Sequence, residues 1–219
     1  MSYTKEEIQR SMLLYAVTDR RWLKGGESLI SVCQRVLEKG VTFVQLREKD
    51  LPRTEILREA KELQALCAKY HVPFVVNDSV EIALESGADG VHVGQSDIQG
   101  RDIRALLGTR RILGMTARTV EEAVAAQKAG VDYIGVGSVF STGTKQDARP
   151  MSRETLAAIR RAVTIPMVAI GGVCADNILE LTGSGVDGAA VVSGIFGADD
   201  PAAAAAELAT LAKEMTGRG

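Results

Sequence analysis

The sequence predicts a single (β/α)8 TIM barrel domain over residues 1–219. Three observations carry that expectation. Short β-rich runs alternate with helical patterns along the whole chain. Most of the runs are apolar throughout, such as Val75-Val76 and Met167-Val168-Ala169-Ile170, as expected of parallel strands covered on both faces. A weak repeat, Gly87-Ala88-Asp89-Gly90, Gly130-Val131-Asp132-Tyr133 and Gly185-Val186-Asp187-Gly188, ends a helix on glycine and enters a strand through a short acidic turn.

Taken in order, a short polar helix near Thr4–Met12 precedes the first strand. Strands are expected at Leu14–Thr18, Phe43–Leu46, Pro73–Asn77, Gly90–Val93, Arg111–Met115, Tyr133–Val136, Met167–Ile170 and Ala189–Val192. Between the second and third, Ile56, Ala60, Leu63 and Cys67 form an apolar stripe at helical spacing, with Arg58, Lys61 and Glu62 on other faces. Thr119 with Glu122 reads as a capping box for a helix that stops at Gly130. Asp200-Pro201 opens the last helix, since proline is tolerated at the first helical position. Eight strands alternating with eight helices close naturally as a barrel. The rival, an open doubly wound sheet, would begin with a glycine-rich turn after strand one, where this chain has Thr18-Asp19-Arg20-Arg21.

Composition narrows the function classes. Formal net charge is -2 and aromatics make up 4 %, so no basic, aromatic-studded surface invites nucleic acid. No apolar run approaches the ~20 residues of a membrane span, and the N-terminus is polar and acidic, unlike a secretory signal. Cys33, Cys67 and Cys174 are odd in number and far apart, which argues against disulfides and for a reducing cytoplasm. Small-molecule substrates are the expected partners, and a homo-oligomer is compatible with the composition.

In such barrels chemistry sits on the loops at the C-terminal strand ends. Strand two ends Gln45-Leu46-Arg47-Glu48-Lys49, where alternation places Gln45, Arg47 and Lys49 on one side; a solvated charged turn would look the same. Strand three ends Asn77-Asp78 and strand four runs through His92 to Gln95 and Asp97. Each aspartate alone could be a turn or cap residue; together they suit a hard cation such as Mg²⁺ that shares its shell with substrate phosphates. The loop Ser138–Lys145 after strand six combines hydroxyls, glycine and a lysine, donors fit for an anion or simply for a mobile surface loop. Strands seven and eight end in Gly171-Gly172 and Val192-Ser193-Gly194, small residues that let backbone N–H groups approach a phosphate. His92 lies inside an apolar run and is read as a packed core histidine, and Trp22 and Asp199-Asp200 as structural.

Together Gln45-Leu46-Arg47-Glu48-Lys49, Val76-Asn77-Asp78, Gly90-Val91-His92-Val93-Gly94-Gln95-Ser96-Asp97, Gly135-Val136-Gly137 with Thr142-Gly143-Thr144-Lys145, and Ala169-Ile170-Gly171-Gly172 form an ordered set. In order and spacing the set resembles the thiamin phosphate synthase family over essentially the whole chain. The resemblance implies that Gln45, Arg47 and Lys49, within the run that includes Leu46 and Glu48, bind an aminopyrimidine diphosphate together with Asn77. It implies that Asp78 and Asp97 bind Mg²⁺, that Thr116 and Lys145 also contact the pyrimidine substrate, and that Thr142, Gly143, Thr144, Gly172, Val192 and Ser193 hold a thiazole phosphate. Arg47, Lys49 and Lys145 are then the catalytic cations that stabilise departing pyrophosphate, and no general base is needed. The sequence departs from the family pattern at Thr116 and Arg118, where serine and histidine are usual, and at Ser138 and Ser141, where prolines are common. A thiazole tautomerase-like paralogue, a phosphosugar isomerase or lyase, and a non-catalytic phosphate sensor are the competing readings.

Overall fold

The computed structural model describes residues 3–95, 102–141 and 150–218. Eight parallel strands pair in sequence order and close, β8 on β1, into a barrel. They are β1 (Leu14–Val17), β2 (Phe43–Leu46), β3 (Phe74–Asn77), β4 (Gly90–Val93), β5 (Ile112–Ala117), β6 (Tyr133–Val136), β7 (Met167–Ile170) and β8 (Gly188–Val191). The open-sheet alternative is thereby excluded.

Strand alternation sorts the side chains into two cores. Outward residues such as Leu14, Val44, Val76, Val91, Ile134 and Val191 pack under the helices. Inward residues Tyr15, Phe43, Val75, Ile112, Tyr133 and Val168 fill the barrel itself. Helix α1 (Lys5–Ser11) plugs the N-terminal end by adding Ile8, and with it Met12, to that inner core. The helix start is fixed by Thr4 and Glu7, each side chain accepting the other residue's N–H, at 3.2 and 2.7 Å.

The outer layer holds α2 (Leu29–Leu37), α3 (Arg53–Lys69), α4 (Val80–Ser86), α5 (Ile103–Leu107), α6 (Val120–Lys128), α7 (Arg153–Ala162), α8 (Ser193–Phe196) and α9 (Pro201–Thr216). Ala60, Leu63 and Cys67 of α3 are buried as their spacing predicts. Asp200 caps α9, accepting from the N–H groups of Ala202 and Ala203. Two expectations are modified. Thr119 caps α6 through the N–H of Glu122, but the Glu122 carboxylate takes the N–H of Arg118 instead of Thr119, so the box is only half formed. After β7 the expected α-helix is a single 3-10 turn, Ile178–Leu181, because the segment soon runs into Gly183-Ser184-Gly185; α9 packs over it.

The glycine–aspartate repeat acquires a physical role at the N-terminal face. Asp89, Asp132 and Asp187 accept the first N–H groups of Phe74, Leu113 and Met167 at 3.0, 2.7 and 2.9 Å. Their own N–H groups return to the carbonyls of the same three residues. Each repeat is a clasp between one strand and the next. Asp187 also accepts from Gln9 of α1 and from Arg218, so it ties both ends of the described chain to the β8–β1 seam. Among the described residues no helix is long and apolar enough to cross a membrane.

Candidate active site

Inward parity at the C-terminal strand ends decides which side chains reach the mouth. Val17, Gln45, Asn77, His92, Thr116, Ile170 and Ala190 are the last or near-last inward residues of seven strands, and all line one open cavity. Arg47, Arg118, Gly137, Ser138, Gly171, Gly172, Val173, Val192 and Ser193 complete its wall from the loops. Of the site residues expected from sequence, the cavity therefore gathers Gln45, Arg47, Asn77, Thr116, Gly172, Val192 and Ser193.

The β2 run divides. Leu46 is buried in the outer core, and Glu48 turns outward to Arg20 at 2.8 Å, which also holds Glu59 of α3 at 2.6 Å. Burial raises the Glu48 carboxyl above its usual range even though Arg20 opposes that shift. Lys49 does not line the mouth cavity; with Asp19, Arg20, Arg21 and Asp50 it borders a neighbouring recess, and only Arg47 belongs to both. Alternation holds only while the chain is a strand, and β2 ends at Leu46, so the expected common side for Gln45, Arg47 and Lys49 extends only to the first two.

Asp78 lies one residue past β3, exposed, at a left-handed φ of 65°, with its N–H bonded to the His92 carbonyl at 2.8 Å. Aspartate tolerates that conformation better than most residues. Asp97 and Thr142, Gly143, Thr144 and Lys145 lie outside the described residues. Among the described residues, no group of three or more His, Cys, Asp or Glu side chains is gathered for a metal.

On the opposite wall, Gly171 and Gly172 have φ of 101° and 69°. The strand-six loop lies directly against them: Phe140 donates its N–H to the Gly171 carbonyl at 3.0 Å, and a Cβ on Gly172 would strike the Ser141 carbonyl. Asn177 holds the turn, donating to the Gly172 carbonyl at 2.8 Å and accepting the N–H of Cys174 at 2.9 Å. Val192 and Ser193 begin α8, whose first N–H groups have no partner within the helix. These features make a neutral, backbone-rich concavity.

Sequence reasoning missed three contributors. His92 is packed, as expected, yet it also lines the cavity, with Nε2 3.0 Å from Thr116 Oγ1. Its inward parity was the available signal. Arg118 is a second arginine lining the cavity, and neither it nor Arg47 forms an ion pair among the described residues. Asp19 is buried and borders the same recess as Arg47. Burial alone would raise its carboxyl, but hydrogen bonds from Arg21 and the charges of Arg21 and Arg47 outweigh it and hold the group below the usual range.

A family profile described as thiamine monophosphate synthase matches residues 14–195. A thiamine-phosphate synthase of Clostridioides difficile (strain 630) is 46% identical over 196 residues, 90% of this chain and 93% of the relative. Another, from Moorella thermoacetica, is 42% identical over 206 residues, 94% of this chain and 98% of the relative. The solved thiamine phosphate pyrophosphorylase from Pyrococcus furiosus superposes with a TM-score of 0.87 at 38% identity, covering 95% of this chain and 98% of that one. A match that spans the barrel from β1 into α8, over a mouth with these strand-end residues, assigns the chain to the thiamin phosphate synthase family, transferases of thiamin biosynthesis.

Proposed function

We propose that the mouth cavity seats 4-amino-2-methyl-5-(diphosphooxymethyl)pyrimidine against the β2–β5 wall and the thiazole phosphate, or its carboxylated form, against the β7–β8 wall. The observation that carries this arrangement is the contrast between the walls. Arg47, Arg118, Gln45 and Asn77 line one side, and the glycine turn and α8 start line the other. In a closed eight-strand barrel β3 faces β7 and β4 faces β8, so two anionic ends would approach from opposite directions.

The bond from the pyrimidine methylene to the diphosphate oxygen breaks with its electron pair leaving on oxygen. The thiazole nitrogen lone pair then forms the new C–N bond, giving thiamin phosphate and pyrophosphate; a carboxylated thiazole loses CO₂ afterwards. The electron-rich aminopyrimidine can stabilise the intervening methylene cation, so a dissociative order fits and no general base is required. Arg47, and from outside the described residues Lys145, would stabilise charge growing on the leaving group. Lys49 would act on the diphosphate only from the adjoining recess.

The exposed Asp78 carboxylate is an oxygen donor suited to a hard cation, and Asp97 and phosphate oxygens would have to complete the shell. Mg²⁺ held there would neutralise charge on the diphosphate. The two fully buried thiols, Cys33 and Cys67, and the free Cys174 support a reducing, cytoplasmic setting. The test combines purified protein, both substrates and Mg²⁺. Thiamin phosphate and pyrophosphate should appear in equal amounts and cease with excess chelator. Conversion of the thiazole without pyrophosphate release would instead establish a tautomerase-like enzyme.

A further inference from the structure

We propose that a buried hydrogen-bond chain, Gln45–Tyr15–Tyr133–His92–Thr116, fixes the Thr116 hydroxyl as a donor into the cavity, with Tyr15, Tyr133 and His92 as positioning residues. The proposal deepens the thiamin phosphate reading, on which it rests for one point only, that the acceptor is an atom of the pyrimidine substrate.

The chain runs up the inside of the barrel. Gln45 donates through Nε2 to the Tyr15 hydroxyl at 2.6 Å. The Tyr15 and Tyr133 hydroxyls lie 2.8 Å apart, and the Tyr133 hydroxyl is 3.0 Å from His92 Nδ1. His92 Nε2 is 3.0 Å from Thr116 Oγ1, which lines the cavity. Space for the two rings comes from glycines at inward positions of adjacent strands. A Cβ on Gly114 would strike the Tyr133 ring, and one on Gly135 would come within 3.3 Å of the His92 ring. Alanine at Gly114 would displace the Tyr133 ring, whereas alanine at Gly135 would ask the His92 ring to give by only a few tenths of an ångström.

Its direction follows from donor counting. The Tyr15 oxygen already accepts from Gln45, and among the described residues the only other hydrogen-bond neighbour of that hydroxyl is Tyr133. Tyr15 therefore donates to Tyr133, Tyr133 donates to His92 Nδ1, and the imidazole must carry its proton on Nε2, donated to Thr116. The reverse order would leave the Tyr15 O–H, 1 % exposed, with no acceptor. Burial pushes both phenols well up, so both keep the protons this order needs. Thr116 Oγ1 accepts from His92 and has its own proton left for the cavity.

A hydroxyl normally reads donors and acceptors alike. One locked as a donor selects a ring nitrogen or phosphate oxygen and disfavours an amino group. On an aminopyrimidine, which offers both kinds of group on one ring, that choice sets which edge faces β5.

The chain holds two histidines, so His71→Asn leaves a single imidazole to observe. In ligand-free, ¹⁵N-histidine-labelled protein, two-bond ¹H–¹⁵N correlation should show His92 neutral with its proton on Nε2 alone. A proton on Nδ1, an averaged pair of tautomers or an imidazolium at pH 7.5 would overturn the proposal, whatever the enzyme turns over. Kinetically, Tyr133→Phe should raise KM for the pyrimidine diphosphate about five- to tenfold, the scale of one lost hydrogen bond, with little change in KM for the thiazole phosphate. Added to Thr116→Val it should cost nothing further, and Thr116→Ser should behave as wild type. Equal rises in both KM values, or full additivity, would show that the tyrosines support the fold and not the hydroxyl. If Tyr133→Phe does not fold, Tyr15→Phe makes the same kinetic comparison from the next link, and the spectrum of the protein with both tyrosines intact still decides the direction.

Discussion

Gly172 illustrates why a cradle residue can be a poor probe of the cradle. Its φ of 69° and the Ser141 carbonyl beside it mean that any side chain would displace the strand-six loop before meeting a ligand. Gly172→Val should therefore lower stability and disturb both substrates. Ser193 is the cleaner probe, because it lines the cavity and its hydroxyl has no hydrogen-bond partner among the described residues. Ser193→Ala should raise KM for the thiazole phosphate roughly fivefold while leaving the pyrimidine KM near wild type. The reverse split would place the thiazole on the other wall. Asp19 supplies a pH test. Its folded-state pKa is depressed, so its contribution is present above the unfolded carboxylate range near about 4 and is lost as pH falls through the lower folded value. Asp19→Asn should be less stable than wild type in urea at pH 7, with the gap closing toward pH 3. A gap that does not change with pH would mean that Asp19 acts by packing and not by charge.

Elements report on the clasps. Asp187 accepts the Met167 N–H, the Gln9 amide and the Arg218 guanidinium, and it is almost fully buried. Asp187→Ala leaves a strand N–H and two side-chain donors without their partner and should cost on the order of 2–4 kcal/mol in urea unfolding. Because the clasp lies at the end of the barrel away from the cavity, kcat of the folded fraction should hardly change. A comparable loss of kcat would mean that the seam is coupled to the mouth. The strands were legible within a residue, except that β5 runs two residues past its expected end, because buried parallel strands are apolar throughout and bounded by glycine and aspartate. The missing helix after β7 was not legible, since a barrel position can be covered by a helix from elsewhere, here α9. Lys49 was misplaced because alternation was carried past the strand end, and His92 was read only as packed because an apolar run on both sides outweighed the parity that turns it inward.

At the scale of the whole molecule the inner core is continuous from α1 to the aromatic layer of Tyr15, Phe43 and Tyr133, so the barrel is packed at its base and open only at its mouth. The mouth was legible as a set of strand-end residues; the sorting of those residues between two walls required the closed register, which no single segment encodes. The β8–β1 seam has one more consequence. Arg218 donates to the Gln9 carbonyl at 3.1 Å, so the two ends of the described chain meet at the base. Topologically the described chain is nearly a ring with an arbitrary cut. A short glycine-rich bridge from Arg218 to the start of α1, with the chain reopened in the exposed turn Gly108–Arg110, should give a permuted protein that folds and keeps kcat within a few-fold of wild type. An unfolded permutant would show that the order in which the strands are made, and not only their final neighbours, is needed to close the ring.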